Sequence, residues 1–290
     1  MRDRILLSCF CAAVHLLSSA ILSAQERWLY RFNGPGDADE AYSVAMGPDG
    51  NLYVGGTGVG SGSSTDFIVV SLTPLGAERW VYRYNGPGNY MDETRSIAIG
   101  PDSAVYAAGY SYRSEPSFDY DFTVVSCDPS GAERWVYRYD GPANSGDLAY
   151  AVATGPDSNV YAAGYSWGSG TAETDFTVIS LTPSGTERWV YRYDGPGNYY
   201  DFAKSVAIST DSNLYVAGYS CGLAGFDFTV ISLTPLGAER WVYNYHGSAN
   251  AYDEALSIAA GPDGAVYAAG ITTWTATDED FTVISLDASG

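Results

Sequence analysis

Histidine is almost missing from this 290-residue chain, which carries only His15 and His246. A zinc site wants histidines or cysteines at ligand spacing, and a nucleophilic triad wants a base beside its nucleophile; neither requirement is met. Cysteine is equally sparse. Cys9 and Cys11 fall in the N-terminal apolar run, and Cys127 stands where the other repeats carry Leu72, Leu181, Leu233 and Leu286. Cys221 is placed in a loop at the opposite end of its sheet, so no disulfide framework is expected. Basic residues are few, 14 against 34 acidic ones, for a net charge of −20. Such a surface repels nucleic acid and anionic lipid and suits cations, basic partners or neutral ligands. Helical periodicity is lacking too, and the only long apolar run is Ile5–Leu22.

That run follows Arg2 and Arg4 and ends in Leu22-Ser23-Ala24, the layout of a secretory signal over residues 1–24. Its serines and histidine weaken the reading as a membrane anchor. The expectation is an exported chain, periplasmic, secreted or on the cell surface, not inserted in a membrane once the signal is cleaved. The mature part would hold 12 basic and 33 acidic residues, a charge of −21.

What is present is repetition. Glu-Arg-Trp occurs five times, with Trp28, Trp80, Trp135, Trp189 and Trp241, and Asp-Phe follows in register at Asp66, Asp121, Asp175, Asp227 and Asp280. The copies run roughly over 26–77, 78–132, 133–186, 187–238 and 239–290. Each holds four β-like runs, here called a to d; in the second copy they are Ser96–Gly100, Val105–Tyr110, Phe122–Cys127 and Arg134–Asp140. Turns such as Gly-Pro-Asp-Ser and Asp-Pro-Ser-Gly separate a from b and c from d. A four-strand meander repeated at this period is a propeller blade, so the spacing predicts an all-β, five-bladed β-propeller over 25–290. The last copy stops after its third run, Phe281–Leu286, while Gln25-Glu26-Arg27-Trp28 supplies a fourth. The N-terminal strand is therefore expected to pair beside Phe281–Leu286 and close the ring.

The d runs alternate Trp, Tyr, Tyr, the b runs carry one Tyr, and Asp-Phe adds a Phe; these repeated rings read as inter-blade packing. The stretch ERWVYRYNGPGNYMDETRSIAIGPDSAVYAAGYS with its later DFTVVSCDPSG resembles the bacterial β-propeller repeat family called SBBP. The resemblance spans essentially all of residues 25–290 and implies an exported or surface propeller. It carries over no catalytic residues.

In a meander, the b–c and d–a loops share one end of each blade, and there the copies differ. Two groups of candidates collect at that end. One is an Asp per copy, Asp39, Asp92, Asp147, Asp201 and Asp253, followed by Glu at Glu40, Glu93 and Glu254. The other is the aromatics outside repeat positions, among them Tyr112, Trp167, Tyr200 and Trp274, with Tyr90, Phe118, Tyr120, Tyr199, Phe202, Phe226 and Tyr252. Aromatic faces beside carboxylates suit sugars: the faces cover C–H patches while the acceptors take hydroxyl protons. The same Asp residues can equally bind loop amides. Calcium is weighed only at Asp37-Ala38-Asp39-Glu40, the one loop dense in carboxylates; otherwise no cofactor is expected. Near-identical blades disfavour an asymmetric acid/base pair and suit multivalent binding. The expectation is thus a monomeric, non-enzymatic module binding carbohydrate or protein. A glycan-degrading enzyme and a structural extracellular component are the alternatives.

Overall fold

The computed structural model describes residues 26–36, 38–60, 64–114, 119–168, 173–247, 252–275 and 278–290. The expected signal segment, Asp37 and Phe118 lie outside the described residues. No described helix is long and apolar enough to cross a membrane.

The described residues are all β, nineteen strands in five antiparallel meanders. The first sheet is β1 (Glu40–Met46), β2 (Leu52–Val59), β3 (Thr65–Leu72) and β4 (Glu78–Tyr84); the second is β5 (Asp92–Ile99), β6 (Val105–Tyr112), β7 (Tyr120–Cys127) and β8 (Glu133–Tyr139). The third is β9 (Leu148–Thr154), β10 (Val160–Trp167), β11 (Thr174–Leu181) and β12 (Glu187–Tyr193). The fourth is β13 (Phe202–Ile208), β14 (Leu214–Cys221), β15 (Phe226–Leu233) and β16 (Glu239–Tyr245), and the fifth has three strands, β17 (Glu254–Ala260), β18 (Val266–Thr275) and β19 (Asp278–Leu286). First strands of successive sheets pack against one another, so they converge on one side of the stack and the fourth strands lie outermost.

Packing follows from composition. The second strands read Tyr-Ala-Ala-Gly or a close variant, small enough for a neighbouring sheet to approach; the third strands are rich in β-branched Val and Ile, which suit a sheet buried on both faces. Between the first two sheets, Tyr53, Phe67 and Val69 meet Ile97, Val105 and Ala107, with Trp80 and Tyr84 alongside. The next junction repeats this with Tyr106, Phe122 and Val124 against Ala149, Val160 and Ala162. Each fourth-strand Trp also reaches the following sheet. Its indole N–H donates to a carbonyl in the next c–d turn, Trp80 to Pro129 at 3.1 Å, Trp135 to Pro183 at 3.0 Å and Trp189 to Pro235 at 3.1 Å. The turn glycine beneath the indole, Gly131 in the second sheet, has φ +89°, and a Cβ there would lie 2.6 Å from Trp80 Cδ2. Only glycine meets both conditions.

Two details differ from the sequence expectation. Strands reach further into the loop end than the runs first drawn. β5 begins at Asp92 and not Ser96, and β6 ends at Tyr112 and not Tyr110, because the ladder continues past the bulge with Asp92 opposite Ser111 and Glu93 opposite Tyr110. Asp92, Tyr112, Trp167, Phe202, Phe226 and Trp274 therefore sit on strands, not in loops. Further, the sheets do not close. The segment 26–32 is not paired with β19; it rests against the first sheet, where Tyr30 and Phe32 pack on Ile68, Val70 and Leu72. That placement repeats a fourth strand's contacts: Trp28 Nε1 donates to Pro74 O at 3.2 Å and the Tyr30 hydroxyl to Glu78 at 2.5 Å.

Candidate functional site

The five loop-end aspartates are backbone fasteners. Asp92 accepts N–H groups from Gly86 (2.6 Å) and Tyr112 (3.0 Å), one on each carboxylate oxygen. Asp147 does the same with Gly141 and Trp167, Asp201 with Gly195 and Cys221, and Asp253 with Gly247 and Thr273. These four are fully buried. Each ties the d–a loop to the end of its own second strand, leaving no exposed oxygen for a ligand. Asp39 keeps only the Gly34 amide, at 2.8 Å. Calcium at residues 37–40 rests in part on Asp37, outside the described residues.

Burial pushes the carboxyls of Asp92, Asp147 and Asp201 up to about 7, while two amide N–H groups on each pull the other way without offsetting it. Their unfolded value is near 3.9, so between about pH 4 and 7 the folded chain holds extra protons. Stability is therefore expected to fall as pH rises from 5 to 8, and to level off above 7. Thermal melts across that range check the sign. Asp147→Asn should flatten the slope, and a melting temperature that climbs toward pH 8 would contradict it.

Above these fasteners runs one connected belt of rings. Tyr90 meets Tyr112 (centroids 5.0 Å), Tyr112 meets Tyr120 (5.5 Å), and the Tyr120 and Tyr165 hydroxyls bond at 2.8 Å. Tyr165 packs on Phe202 (4.5 Å), Phe202 on Tyr219 (5.0 Å), and Tyr219 on Phe226 and Tyr252 (5.3 and 5.5 Å). Trp167, Tyr200 and Tyr199 join through Tyr200–Phe202. The belt thus spans second to fifth sheets and brings together Tyr112, Trp167 and Tyr200. Tyr90, Tyr199 and Trp274 are exposed. Tyr110, Tyr165 and Tyr219 were not among the candidates, although each is the Tyr of a repeated Gly-Tyr-Ser.

On the first strands the copies disagree. Every first strand carries a β-bulge, and its extra residue is Tyr42, Arg95, Tyr150, Lys204 or Leu256 in turn. A bulge re-aims the side chain that bears it. Bulge residues of neighbouring sheets touch: Arg95 lies over Tyr42 (5.1 Å) and Lys204 over Tyr150 (4.1 Å). Two of them pair with a glutamate at the start of a first strand, Arg95 with Glu93, the second residue of β5, at 2.5 Å and Lys204 with Glu254, the first of β17, at 3.5 Å. Tyr110 and Tyr252 hydroxyls donate to those glutamates at 3.0 and 2.8 Å. Burial holds the Lys204 ammonium below its ordinary value, against the pull of Glu254. The signal was legible: Lys204 is the only lysine in the sequence.

The Asp of Asp-Phe is structural in three sheets, bound by a fourth-strand arginine: Asp66–Arg83 and Asp121–Arg138 at 2.7 Å, Asp175–Arg192 at 2.6 Å. In the fourth sheet Asn244 replaces that arginine, and His246 stands 3.9 Å from Asp227. Asp121, Asp140 and Asp147 cluster closely enough for a cation. Arg113 already reaches Asp121 at 3.1 Å and Asp140 at 2.5 Å, so guanidinium groups fill that role. Cys127 is buried and Cys221 half-buried, both as free thiols.

No family model matches the chain, and no curated protein matches its sequence. Solved structures share its fold. An α-L-arabinanase of Penicillium chrysogenum, complexed with arabinobiose, superposes with a TM-score of 0.53 at 11% identity, covering 84% of this chain and 80% of that one. A periplasmic gluconolactonase of Pseudomonas aeruginosa gives 0.48 at 13% identity over 86% and 72%. The β-propeller domain of the trilobed protease of Pyrococcus furiosus, described as having an open velcro topology, gives 0.48 at 10% identity over 86% and 70%. The likeness is one of fold: five sheets stacked as in a propeller.

Proposed function

We propose that this chain is an exported propeller of SBBP type, closed into a five-bladed ring by its N-terminal segment, whose loop end binds carbohydrate without transforming it. The belt of rings carries the binding part of the reading. It is continuous over four sheets, its exposed members Tyr90 and Tyr199 stand at the surface, and carboxylates and hydroxyls border it. Flat faces with nearby acceptors and donors match the alternating C–H and O–H surfaces of a sugar chain. The loop-end carboxylates Asp92 and Asp201, which a hydrolase would need free, are spent on amides. That favours binding over hydrolysis.

Closure is supported by two faces that match each other. Tyr53, Tyr106, Tyr161 and Tyr215 are at most 1% exposed, but their fifth-sheet counterpart Tyr267 is 43% exposed. Phe281 and Val283 are 84% and 56% exposed, where Phe67, Phe122, Phe176 and Phe228 are wholly buried. The first sheet in turn presents an apolar groove of about 310 Å³, lined by Trp28, Tyr30, Val44, Leu52, Val54 and Val70 among others. Its natural occupant is the fifth sheet's bare face.

Glycan-array binding tests the function. Trp167→Ala with Tyr199→Ala is expected to weaken binding to the best glycan at least about tenfold, roughly 1.4 kcal/mol. Unchanged binding would remove the belt from the site. Products released from the same polysaccharides would overturn the non-enzymatic reading.

A further inference from the structure

The bulge residues hold charge where this scaffold has no need of it. At the position of Lys204 the fifth sheet carries Leu256, and at the position of Glu254 the third and fourth carry Leu148 and Phe202. The fold accepts apolar side chains at both places. Yet Lys204 sits largely desolvated over Tyr150 and within 5.6 Å of the Phe202 and Tyr219 ring centres, beside Glu254, whose side chain is 9% exposed. Arg95 and Glu93 make a second such pair, and Tyr150 feels the charges of Arg95, Glu93 and Glu254. Replacing a buried ion pair with apolar groups commonly leaves stability equal or higher. Retaining two such pairs at the strand bulges is therefore hard to attribute to packing.

We propose that Lys204 and Glu254, flanked by Tyr150 and mirrored by Arg95 and Glu93, form the subsite that grips one ring of a neutral sugar. Each pair is charge-balanced, so an uncharged ligand enters without leaving an ion unpaired. Each also offers donors and acceptors side by side, which is what adjacent hydroxyls require. The ammonium has three N–H groups. One serves Glu254 and one faces the Tyr150 ring, leaving a donor for a hydroxyl oxygen, while the glutamate accepts the hydroxyl proton next to it. The Tyr150, Phe202 and Tyr219 rings around the ammonium supply the apolar faces. This inference rests on the carbohydrate reading and narrows it to the bulge ends of the first strands and to uncharged sugars.

The lone lysine makes the test direct. The full chain labelled with ¹⁵N-lysine gives a single ammonium resonance, and adding glucose, galactose, arabinose or xylose at up to 100 mM is expected to shift it for at least one of them. No shift with any of the four overturns the subsite. Binding is then compared for hexamers of cellulose, xylan, mannan and arabinan and for polygalacturonate. The double variant Lys204→Leu with Glu254→Leu copies residues that other sheets already carry, so its melting temperature should hold or rise. Its affinity for the best neutral hexamer should fall at least tenfold. A stable double variant that binds as tightly as the parent overturns the subsite and leaves the belt standing. A large drop in melting temperature assigns the pair to structure and overturns it as well, and a preference for polygalacturonate contradicts the neutral class. If the parent binds none of these, the carbohydrate reading falls and the subsite with it.

Discussion

Replacing Asp147 with alanine is expected to lower the unfolding free energy by about 2–6 kcal/mol, since two buried N–H groups lose their acceptor at about 1–3 kcal/mol each. The groups are those of Gly141 at 2.6 Å and Trp167 at 3.1 Å. Alanine supplies no oxygen, and the fully buried site gives water no easy entry. Asp92, Asp201 and Asp253 hold the same two-amide arrangement, so their alanine variants should lose comparable amounts. Asp39→Ala should lose less, with only the Gly34 amide to release. Urea unfolding of the series measures this. A loss under about 0.5 kcal/mol at Asp147 would mean that the loops are fastened by something else.

The second large effect concerns closure. If residues 26–32 pair with β19 as every other fourth strand pairs with its third, the register is fixed by repetition. Val81 faces Val70, Val136 faces Val125, Val190 faces Ile179 and Val242 faces Ile231. The corresponding pair is Leu29 and Ile284. Cysteines at both positions, with Cys221→Ser to remove the half-buried thiol, should form a disulfide within one chain. The bond would close a loop of most of the sequence and raise stability by about 2–5 kcal/mol. Non-reducing electrophoresis and thermal melts read the result. Cross-linked dimers alone would indicate strand exchange between copies, and no bond at all would leave the ring open.

Much of this was legible because the sequence repeats. Glu-Arg-Trp and Asp-Phe each mark one strand, the Pro- and Gly-containing turns mark its ends, and five copies average away local ambiguity. Two features were not. An Asp in a loop can bind an amide or a ligand, and composition does not separate them; the distinguishing cue is a glycine six residues earlier, Gly86 before Asp92 and Gly141 before Asp147. The bulge was hidden for another reason. Period-two patterning marks a strand but not the one residue that slips out of register, so the bulge positions Arg95, Tyr150 and Lys204 fell just outside a first-strand run that starts at Ser96 in the second copy. Their variability across copies was the visible trace.

The indole that donates to Pro129 belongs to one sheet, and the glycine turn beneath it belongs to the next. Peg and socket thus come from the two ends of a single repeat. Gaining or losing one whole repeat leaves every remaining peg facing a socket, whereas any shorter insertion or deletion strands one of them. Such a chain can change length by duplication only in steps of a complete blade, and a recombination point anywhere else in the repeat is penalised at both of its neighbours.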